Sequence, residues 1–464
     1  MTAGPISAGT GKSDSKAKTT SINAMRNPLD LPKYKGLKWI QADLPTKAQN
    51  WPLGKLHSSD KDQDSPAGLE QQLAQSQQEY PWIWPKAPIL FFSDLHADTD
   101  AFLASLVASG GIKKTGPKDH QFKLTRNGRK AHFVIGGDCF DKGPSNLRLL
   151  RCIRLLIEKG ARVHILAGNH DIRIKLGLRS VDMSKDPNSE HFFVRMGAKA
   201  MPFLREIRQH YLQGDDALHD IPDEEECRRR LYPSATWFET FPTQAEGIMP
   251  SKAIDKELKR LREKLADFEQ DLHKAGLDLR IAYAAARKWQ QLFLHKNGEF
   301  YWYFDKMRLA LQKGSFLFVH AGLDDSVARL IHKKGVKHLN QQFKRHLNDE
   351  MFTFYYGPLA NTIRTKYRDV DRPMTRQGVE QLRQKGIHAI VHGHKNMRYG
   401  QRIMLRKGMV NFECDASVDR NTRKKENIGW QHGAAVTIFQ PQGRVLAIST
   451  DYPYIKVFQP PALS

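Results

Sequence analysis

From residue 87 onward, the chain repeats a pattern in which a short apolar run ends in a polar cluster. The runs are "PILFFSDLHAD", "AHFVIGGDCFD", "ARVHILAGNHD", "GSFLFVHAG", "IHAIVHGHK" and "GMVNFECDAS". Continuous apolar runs bounded by turn residues are typical of strands that are buried on both faces. Helical stretches such as residues 145–159 separate several of the runs. The pattern predicts an α/β fold with its polar clusters at the carboxyl ends of strands, where such folds bind ligands.

The interval of residues 172–313 has a helical pattern instead. A heptad seam, with alternating spacings of four and three, is formed by Ile254, Leu258, Leu261, Leu265, Phe268 and Leu272. A second apolar helix follows Gly276 and contains Ile281, Tyr283, Trp289 and Phe293. We therefore predict an insertion that contains a coiled-coil helical hairpin packed on the core. A cap that selects substrate is the alternative interpretation. Near the end, "AAVTIFQPQGRVLAIS" predicts a β-hairpin.

These patterns divide the chain into five predicted regions. Residues 1–25 are a flexible polar tail. Residues 26–86 are an irregular arm whose tryptophans, Trp39, Trp51, Trp82 and Trp84, indicate packing on the core. The core has two parts, residues 87–175 and 314–464, and the mainly helical insertion of residues 176–313 separates them.

Composition narrows the class of protein. The 464 residues are 40% hydrophobic and 27% charged, and no apolar run approaches the roughly 20 residues of a membrane span. The four cysteines lack CxxC spacing, and the N-terminus lacks the apolar core of a secretory signal, so we expect a cytoplasmic protein with free thiols. The net charge of +23 would attract anions. It permits nucleic-acid binding, although a solvated basic surface explains it equally well and no RNA-binding signature is present.

The polar clusters supply oxygen and imidazole donors, the ligands that hard or borderline divalent metals prefer. Single residues of this kind are more often helix caps or structural histidines. Together, however, they exceed one site and suit two metals that share a carboxylate. We assign Asp138 as the bridge between the metals. The first metal would take Asp94, His96 and His394, and the second would take Asn169, His320 and His392.

A pair of metals suits the hydrolysis of phosphate esters, because it lowers the pKa of a bound water and clamps both ends of an in-line displacement. The attacking group would be a hydroxide that bridges the metals. His170 lies beside Asn169 in the sequence and would protonate the leaving oxygen, while Asp141 would hold its imidazole in the required tautomer.

The motifs "SDLHAD", "GGDCFDKG", "GNHD", "FVHAG" and "VHGH" stand in the order of the motifs of the calcineurin-like metallophosphoesterases, which the chain resembles. "GDCFDKGPSNLRLLRCI" is especially similar to the serine/threonine-protein-phosphatase branch and its bacterial relatives. The resemblance covers residues 87–175 and 314–455. It implies a β-sandwich flanked by helices, two metal ions (manganese, iron or zinc, with manganese favoured in vitro) and the pair of His170 and Asp141.

The chain departs from the family pattern at two places that concern substrate. Lys142 replaces an arginine that grips phosphate in the protein-phosphatase branch, and lysine keeps the charge but loses the bidentate fork. Residues 357–368, "GPLANTIRTKYR", loosely resemble a G-P-L-W-x-R segment of bacterial relatives. Lys142, Arg364 and Arg368 are accordingly the predicted substrate-binding residues.

The function that we expect from the sequence is hydrolysis of phosphate monoesters, with a phosphorylated protein or small molecule as substrate. A phosphodiesterase, nucleotide pyrophosphohydrolase or nuclease is the alternative, since the same centre serves those reactions. A non-catalytic scaffold that binds partners through the helical insertion is a further alternative. Complete ligand and acid positions argue against the scaffold.

Overall fold

The structure is a computed structural model, and it describes residues 29–53, 69–182 and 186–460. The predicted tail of residues 1–25 lies outside the described residues. Chain contacts divide the protein between Leu31 and Pro32. Of the first unit, residues 29–31 are described, and the Leu31 N–H donates to the Leu29 carbonyl at 3.1 Å.

The described strands of the second unit are short. They are β1 (Ala48–Asn50), β2 (Ile89–Phe92), β3 (Ile112–Lys114), β4 (Phe122–Leu124), β5 (His132–Ile135), β6 (Arg162–Leu166), β7 (Met307–Arg308), β8 (Leu311–Lys313), β9 (Phe316–Phe318), β10 (Ala389–His392), β11 (Arg402–Arg406), β12 (Met409–Glu413), β13 (Ala435–Gln440), β14 (Arg444–Ser449) and β15 (Ile455–Phe458).

The described helices connect and cover the strands. They are α1 (Leu69–Glu79), α2 (Thr99–Ala108), α3 (Arg126–Lys130), α4 (Asn146–Glu158), α5 (Asn169–Ser180), α6 (Phe192–Arg195), α7 (Met201–Tyr211), α8 (Glu224–Leu231), α9 (Trp237–Ala245), α10 (Ser251–Lys274), α11 (Leu279–Leu294), α12 (Tyr301–Lys306), α13 (Asp325–Asp349), α14 (Met351–Tyr356), α15 (Arg376–Arg383) and α16 (Arg420–Lys425). Within α13 the backbone of Gly335 is not helical, so two helical segments meet there at a kink.

Most of the strands form two sheets that pack face to face. One sheet has eight strands in the order β1-β15-β14-β13-β2-β5-β6-β7, and the other has five in the order β11-β12-β10-β9-β8. Strands β2, β5 and β6 run parallel in the first sheet, and β10 runs parallel to β9 and β12 in the second. The six apolar runs singled out in the sequence are β2, β5, β6, β9, β10 and β12.

The core lies between the two sheets. Phe91 of β2 and Phe439 of β13 meet Phe316 and Phe318 of β9 there, all at 0–1% exposure. Phe412 of β12 completes this aromatic layer, 5.5 Å from Phe439 between ring centroids. Interdigitation of the two inner faces makes this a β-sandwich flanked by helices. The predicted fold class is therefore confirmed.

The N-terminal arm contributes to the same core. Strand β1 pairs in parallel with β15 at the edge of the larger sheet. Trp51 is buried in the core, and Trp82 and Trp84 pack against it while half-buried. Trp39, by contrast, is 38% exposed.

The insertion is a cluster of packed helices. On α10, Leu261, Phe268 and Leu272 of the predicted seam are buried, while the other three seam residues are half-buried. The Phe268 ring contacts Phe193 of α6 at 5.9 Å between centroids. On α11, Trp289 is fully buried against Phe203 of α7, with 4.0 Å between the ring centroids. Both helices of the predicted hairpin therefore bury their apolar faces largely against other helices of the insertion.

Two further features concern the class of protein. All four cysteines are buried and unbonded. Among the described residues, no helix combines the length and the apolar composition that crossing a bilayer requires.

Candidate dimetal site

The predicted ligands follow the carboxyl ends of neighbouring strands. Asp94 and His96 follow β2, and Asp138 follows β5. Asn169 and His170 begin α5 directly after β6, and His320 follows β9. His394 lies two residues beyond the end of β10. Because these ends meet at one edge of the sandwich, the side chains converge there.

The backbone of this edge is held in an unusual conformation. Asp94, His96, Asp138 and His394 are not glycines, yet their φ angles are +52°, +41°, +54° and +67°. Each such residue costs on the order of 1–3 kcal/mol and persists only where the surroundings impose it. The strained backbone at these four positions therefore indicates that the fold holds these side chains at the cluster despite a cost in backbone energy.

Two glycines make room for the carboxylates. A Cβ on Gly168 would collide with the Asp138 carboxylate, and one on Gly393 would collide with the Asp94 carboxylate. Side chains at either position would push a predicted ligand out of the site. The backbone thus forms a cradle around Asp94 and Asp138.

Asp138 lies at the centre of the cluster. Its carboxylate and ring nitrogens of His96 and His170 lie within 4.8 Å of one another, and it forms a second such group with His320 and His394. The Asp138 Oδ2 atom is 3.4 Å from His320 Nε2 and 3.8 Å from His170 Nε2. One carboxylate is therefore shared by two sets of imidazoles.

The remaining predicted ligands join these two sets. Asp94 Oδ1 is 3.9 Å from His96 Nε2, and Asp94 Oδ2 accepts the His394 backbone N–H at 2.9 Å. Asn169 Oδ1 is 3.2 Å from His320 Nε2. Asp94 thus borders the His96 side of Asp138, and Asn169 borders the His320 side.

Protein oxygens occupy one ring nitrogen of each of these histidines. His96 Nδ1 lies 3.2 Å from the Phe140 carbonyl, and His320 Nδ1 lies 2.8 Å from the Gly136 carbonyl. His394 Nε2 lies 3.2 Å from the Arg364 carbonyl. Such contacts fix the ring orientation and tautomer of metal-binding histidines. The nitrogens that remain for a metal are Nε2 of His96, which Lys142 Nζ approaches to 2.8 Å, Nε2 of His320 and Nδ1 of His394.

Electrostatic interactions keep Asp138 ionised. Burial alone would raise its pKa, but the charges of His320 and His170 hold it well below the usual range. Burial alone would lower the pKa of His320, but Asp138 raises it to about 10. A metal ion at His320 Nε2 would replace this proton, because histidine binds metals in its neutral form. The carboxylate, amide and imidazole donors, together with the glycine cradle, fit two divalent metals.

His170 and Asp141 form a separate pair at the edge of the cluster. His170 Nδ1 is 2.9 Å from Asp141 Oδ2. Burial alone would raise the pKa of Asp141, but the hydrogen bond from His170 lowers it to about 2. The ionised carboxylate orients the ring so that Nε2 faces Asp138.

A comparison with known families identifies the domain. Residues 87–260 match the model of the calcineurin-like phosphoesterase family. The chain carries a calcineurin-like phosphoesterase domain. This domain is therefore that of a hydrolase of phosphoesters. The matched residues include Asp94, His96, Asp138 and Asn169, whereas His320 and His394 lie beyond them.

Comparisons with curated proteins and with solved structures say less about the function of the chain. No curated protein matches the chain. A cold-active protein-tyrosine phosphatase of a psychrophilic Shewanella species is 12% identical, with 80% of each chain covered and a TM-score of 0.39. A protein serine/threonine phosphatase from Saccharomyces cerevisiae, described as similar to human phosphatase PP5, is 12% identical, with 86% of this chain and 89% of that chain covered and a TM-score of 0.35. Likeness at this level does not bear on the substrate of the phosphoesterase domain.

The geometry differs from the predicted ligand sets at two histidines. His394 was predicted to bind the first metal and His392 the second, but the His394 ring lies against His320, with ring centroids 5.1 Å apart. His392 points elsewhere, since its Nε2 lies 4.0 Å from Glu413 Oε1 and makes no described hydrogen bond. Side chains alternate between the two faces of the sheet only within a strand, and His392 is the last residue of β10. His394 lies beyond the strand, after Gly393, where its backbone is left-handed.

The three predicted substrate-binding residues fall in different surroundings. Lys142 reaches the cluster, with its Nζ 2.8 Å from His96 Nε2. Arg364 directs its guanidinium to the carbonyls of Tyr355 and Ala360 and stacks on the Tyr355 ring, so its contact with the site is its own carbonyl. Arg368 is exposed and pairs with Asp371 at 3.2 Å. The structure therefore does not bring the Arg364 and Arg368 side chains to the cluster.

Asp171, the last residue of the GNHD motif, has a structural role that was not predicted from the sequence. Its carboxylate accepts the backbone N–H groups of Gly168, Asp138 and Cys139 at 2.9–3.0 Å. It therefore ties the loop after β5 to the loop after β6, and with them Asp138 to Asn169. The position of Asp171 in the GNHD motif was the sequence signal that could have indicated this role.

Two cations near the cluster were also missed. Arg173 lies one turn into α5, with its Nη1 3.8 Å from Asp141 Oδ2. Lys199 belongs to the insertion, in the 3-10 turn Gly197–Ala200. Burial and the charge of Arg173 lower the pKa of Lys199 to about 8, and Asp141 and Lys142 also act on it. The sequence offered no signal for Lys199, because only the fold brings residue 199 near residue 141.

Proposed function

We propose that the phosphoesterase domain hydrolyses phosphate monoesters at the Asp138 cluster. The observation that carries this proposal is that the buried Asp138 carboxylate belongs to two groups of donor atoms within 4.8 Å of one another, one with His96 and His170 and the other with His320 and His394. Asp138 would bridge two metals. The first would take Asp94 and His96, and the second would take Asn169, His320 and His394.

The metals, when bound, supply an activated water and neutralise charge on the phosphoryl oxygens. Manganese, iron and zinc all suit oxygen and imidazole donors. We expect manganese to be effective in vitro.

His170 would be the proton donor to the leaving oxygen. Its Nδ1 is held by Asp141, so Nε2 carries the proton that faces the cluster when the ring is an imidazolium. Asp141 would orient the ring and stabilise its positive charge without touching substrate. General acid catalysis of this kind contributes about 10²–10⁴-fold.

The cationic rim supports a monoester in preference to a diester. The charges of Lys142 and Arg173 both act on Lys199, and Arg173 Nη1 lies 3.8 Å from Asp141 Oδ2. A phosphate monoester is close to a dianion at neutral pH, whereas a diester carries one charge. Three cations around one phosphate site therefore favour the monoester, either on a protein side chain or on a small molecule.

A substrate panel tests the proposal. The full chain is stripped with chelator, reloaded with Mn²⁺ and assayed on p-nitrophenyl phosphate, bis(p-nitrophenyl) phosphate, phosphopeptides and nucleotides. We expect the monoester to be hydrolysed faster than the diester, with about two metals bound per chain by elemental analysis.

The alternatives correspond to other outcomes. Preference for the diester or for nucleic acid would replace the proposal with a phosphodiesterase or nuclease, and preference for nucleoside polyphosphates with a pyrophosphohydrolase. A chain that binds no metal and hydrolyses none of these substrates would be a scaffold. A cytoplasmic location is part of the proposal, supported by four cysteines that remain unbonded.

A further inference from the structure

A second concave site lies at the other end of the helix that begins with Asn169 and His170. Lys175 and Arg179 of α5 line a cavity of about 560 Å³ together with Lys344 of α13. Residues four apart on a helix share a face, so Lys175 and Arg179 are neighbours there. The volume falls within the range of roughly 300–1,000 Å³ that is typical of small-molecule sites.

The cations of this cavity are bound to neutral partners. Lys175 is only 8% exposed, yet its Nζ contacts the Asn348 side-chain oxygen at 3.2 Å. Arg179 donates to the Leu347 carbonyl at 3.4 Å, and Lys344 donates to the Asp305 carbonyl at 3.0 Å. Among the described residues, none of the three forms an ion pair. Their positive charges therefore repel one another in a partly buried space.

The carboxylates nearby do not balance this charge. Asp182 lines the cavity, but it is already paired with Arg287 at 3.0 Å and Arg230 at 3.4 Å. Asp305 is exposed at the rim, and Asp349 acts on Arg179 from α13. Burial and the charges of Arg179 and Lys344 lower the pKa of Lys175 to about 8, and the opposing effect of Asp305 does not cancel them.

Part of the remaining cavity wall is aromatic. Phe304 of α12 and Phe343 of α13 are buried in it, and Tyr301 is half-buried beside them. The Lys175 ammonium lies 5.6 Å from the centroid of the Phe304 ring. Aromatic faces next to cations suit a ligand that carries both a planar ring and a negative charge.

We propose that this cavity binds a nucleoside monophosphate, with the phosphate held by Lys175, Arg179 and Lys344 and the base placed against the aromatic wall. The site is distinct from the Asp138 cluster and does not depend on the dimetal assignment. Since Lys175 is six residues beyond Asn169 on one helix, the two sites are separated by about 9 Å along its axis.

Binding is measured by calorimetry with adenosine 5′-monophosphate on the full chain with its metals. The His170→Asn variant is used so that the probe is not hydrolysed. In that background, Lys175→Met and Lys344→Met are each expected to remove one class of binding site, or to weaken it at least tenfold, because each removes a charged contact. Lys306→Met is the matched control, since Lys306 is an exposed lysine on α12 that does not line the cavity. It should bind as the background does.

Two simpler probes separate the parts of the ligand. Inorganic phosphate and adenosine should each bind at least tenfold more weakly than the nucleotide if both charge and ring contribute. Equal affinity for phosphate and nucleotide would overturn the aromatic part of the proposal. Unchanged nucleotide binding in Lys344→Met, which alters an exposed residue and leaves the fold intact, would overturn the site altogether.

Discussion

Helix α5 carries two groups of charged side chains that are organised in opposite ways. At its N-terminus, Asn169 and His170 face the buried carboxylate of Asp138, and imidazoles surround that carboxylate. Further along, Lys175 and Arg179 face a cavity in which carbonyl and amide oxygens are their partners. The first group has mixed charge and the second has excess positive charge.

This difference shows what each end is suited to bind. At the Asp138 cluster, strained backbone and glycine contacts fix the donors before any ligand arrives, as metal coordination requires. At the Lys175 cavity, repulsion between cations remains until an anion neutralises it. One end is therefore suited to cations and the other to an anion.

The largest expected effect concerns the proton donor. His170→Asn should lower kcat by about 10²–10⁴-fold while metal content stays near that of the unchanged chain, because His170 is not among the proposed ligands. Initial rates on p-nitrophenyl phosphate and elemental analysis of the same sample give both quantities.

The control for this change is Asp138→Asn. Removing the shared carboxylate should lower both metal content and rate, since both metals lose a ligand. If His170→Asn lost metal to the same extent as Asp138→Asn, His170 would be a ligand and the proposed division of roles would be incorrect.

The second prediction compares two histidines of one strand end. His394→Gln should weaken metal binding by at least the 10- to 100-fold that loss of an outer partner causes, because His394 is proposed as a direct ligand. His392→Gln should leave metal affinity unchanged, since His392 lies against Glu413. Metal titration of both variants measures the difference, and a loss of metal affinity in both would restore the assignment made from sequence, in which both histidines are ligands.

The sequence was sufficient to predict the part of this site that depends on strand ends. Apolar runs such as "AHFVIGG" mark buried strands, and parallel strands place the residues that follow them at one edge. Asp94, His96, Asp138, Asn169 and His320 could therefore be grouped without a structure. The same runs predicted an α/β fold, and the family resemblance implied the β-sandwich.

The remaining features of the site depend on backbone conformation and tertiary packing, which the pattern of apolar and polar residues does not specify. The choice between His392 and His394 turns on where β10 ends and on a left-handed backbone at residue 394. Lys199 and Lys344 reach their sites through insertion and helix packing, across long separations in sequence. The Arg364 side chain donates to nearby backbone carbonyls, a contact that the sequence of residues 357–368 does not indicate.

The third prediction concerns pH at the Lys175 cavity. Because the pKa of Lys175 is lowered to about 8, its ammonium is fully charged at pH 6.5 and loses its proton as pH rises through 8. Nucleotide affinity in the His170→Asn background should therefore fall by about tenfold between pH 7 and pH 9.5, as a charged contact is lost. The ligand phosphate, with its second pKa near 6, stays a dianion over this range. In Lys175→Met the residual affinity should not change over the same interval.

The smallest expected effect concerns Lys199, which brings the insertion to the rim of the Asp138 cluster. Lys199 is partly exposed, so solvent screens part of its charge, and Lys199→Met should raise KM for a phosphate monoester by only about 2- to 5-fold. The value of kcat should stay within error, since Lys199 contacts neither the proposed donor nor the ligands. Lys274→Met, at the far end of α10, is the charge-matched control. An equal rise in KM in both variants would mean that net charge, and not the position of Lys199, attracts the substrate, whereas a fall in kcat would place Lys199 in the reaction itself.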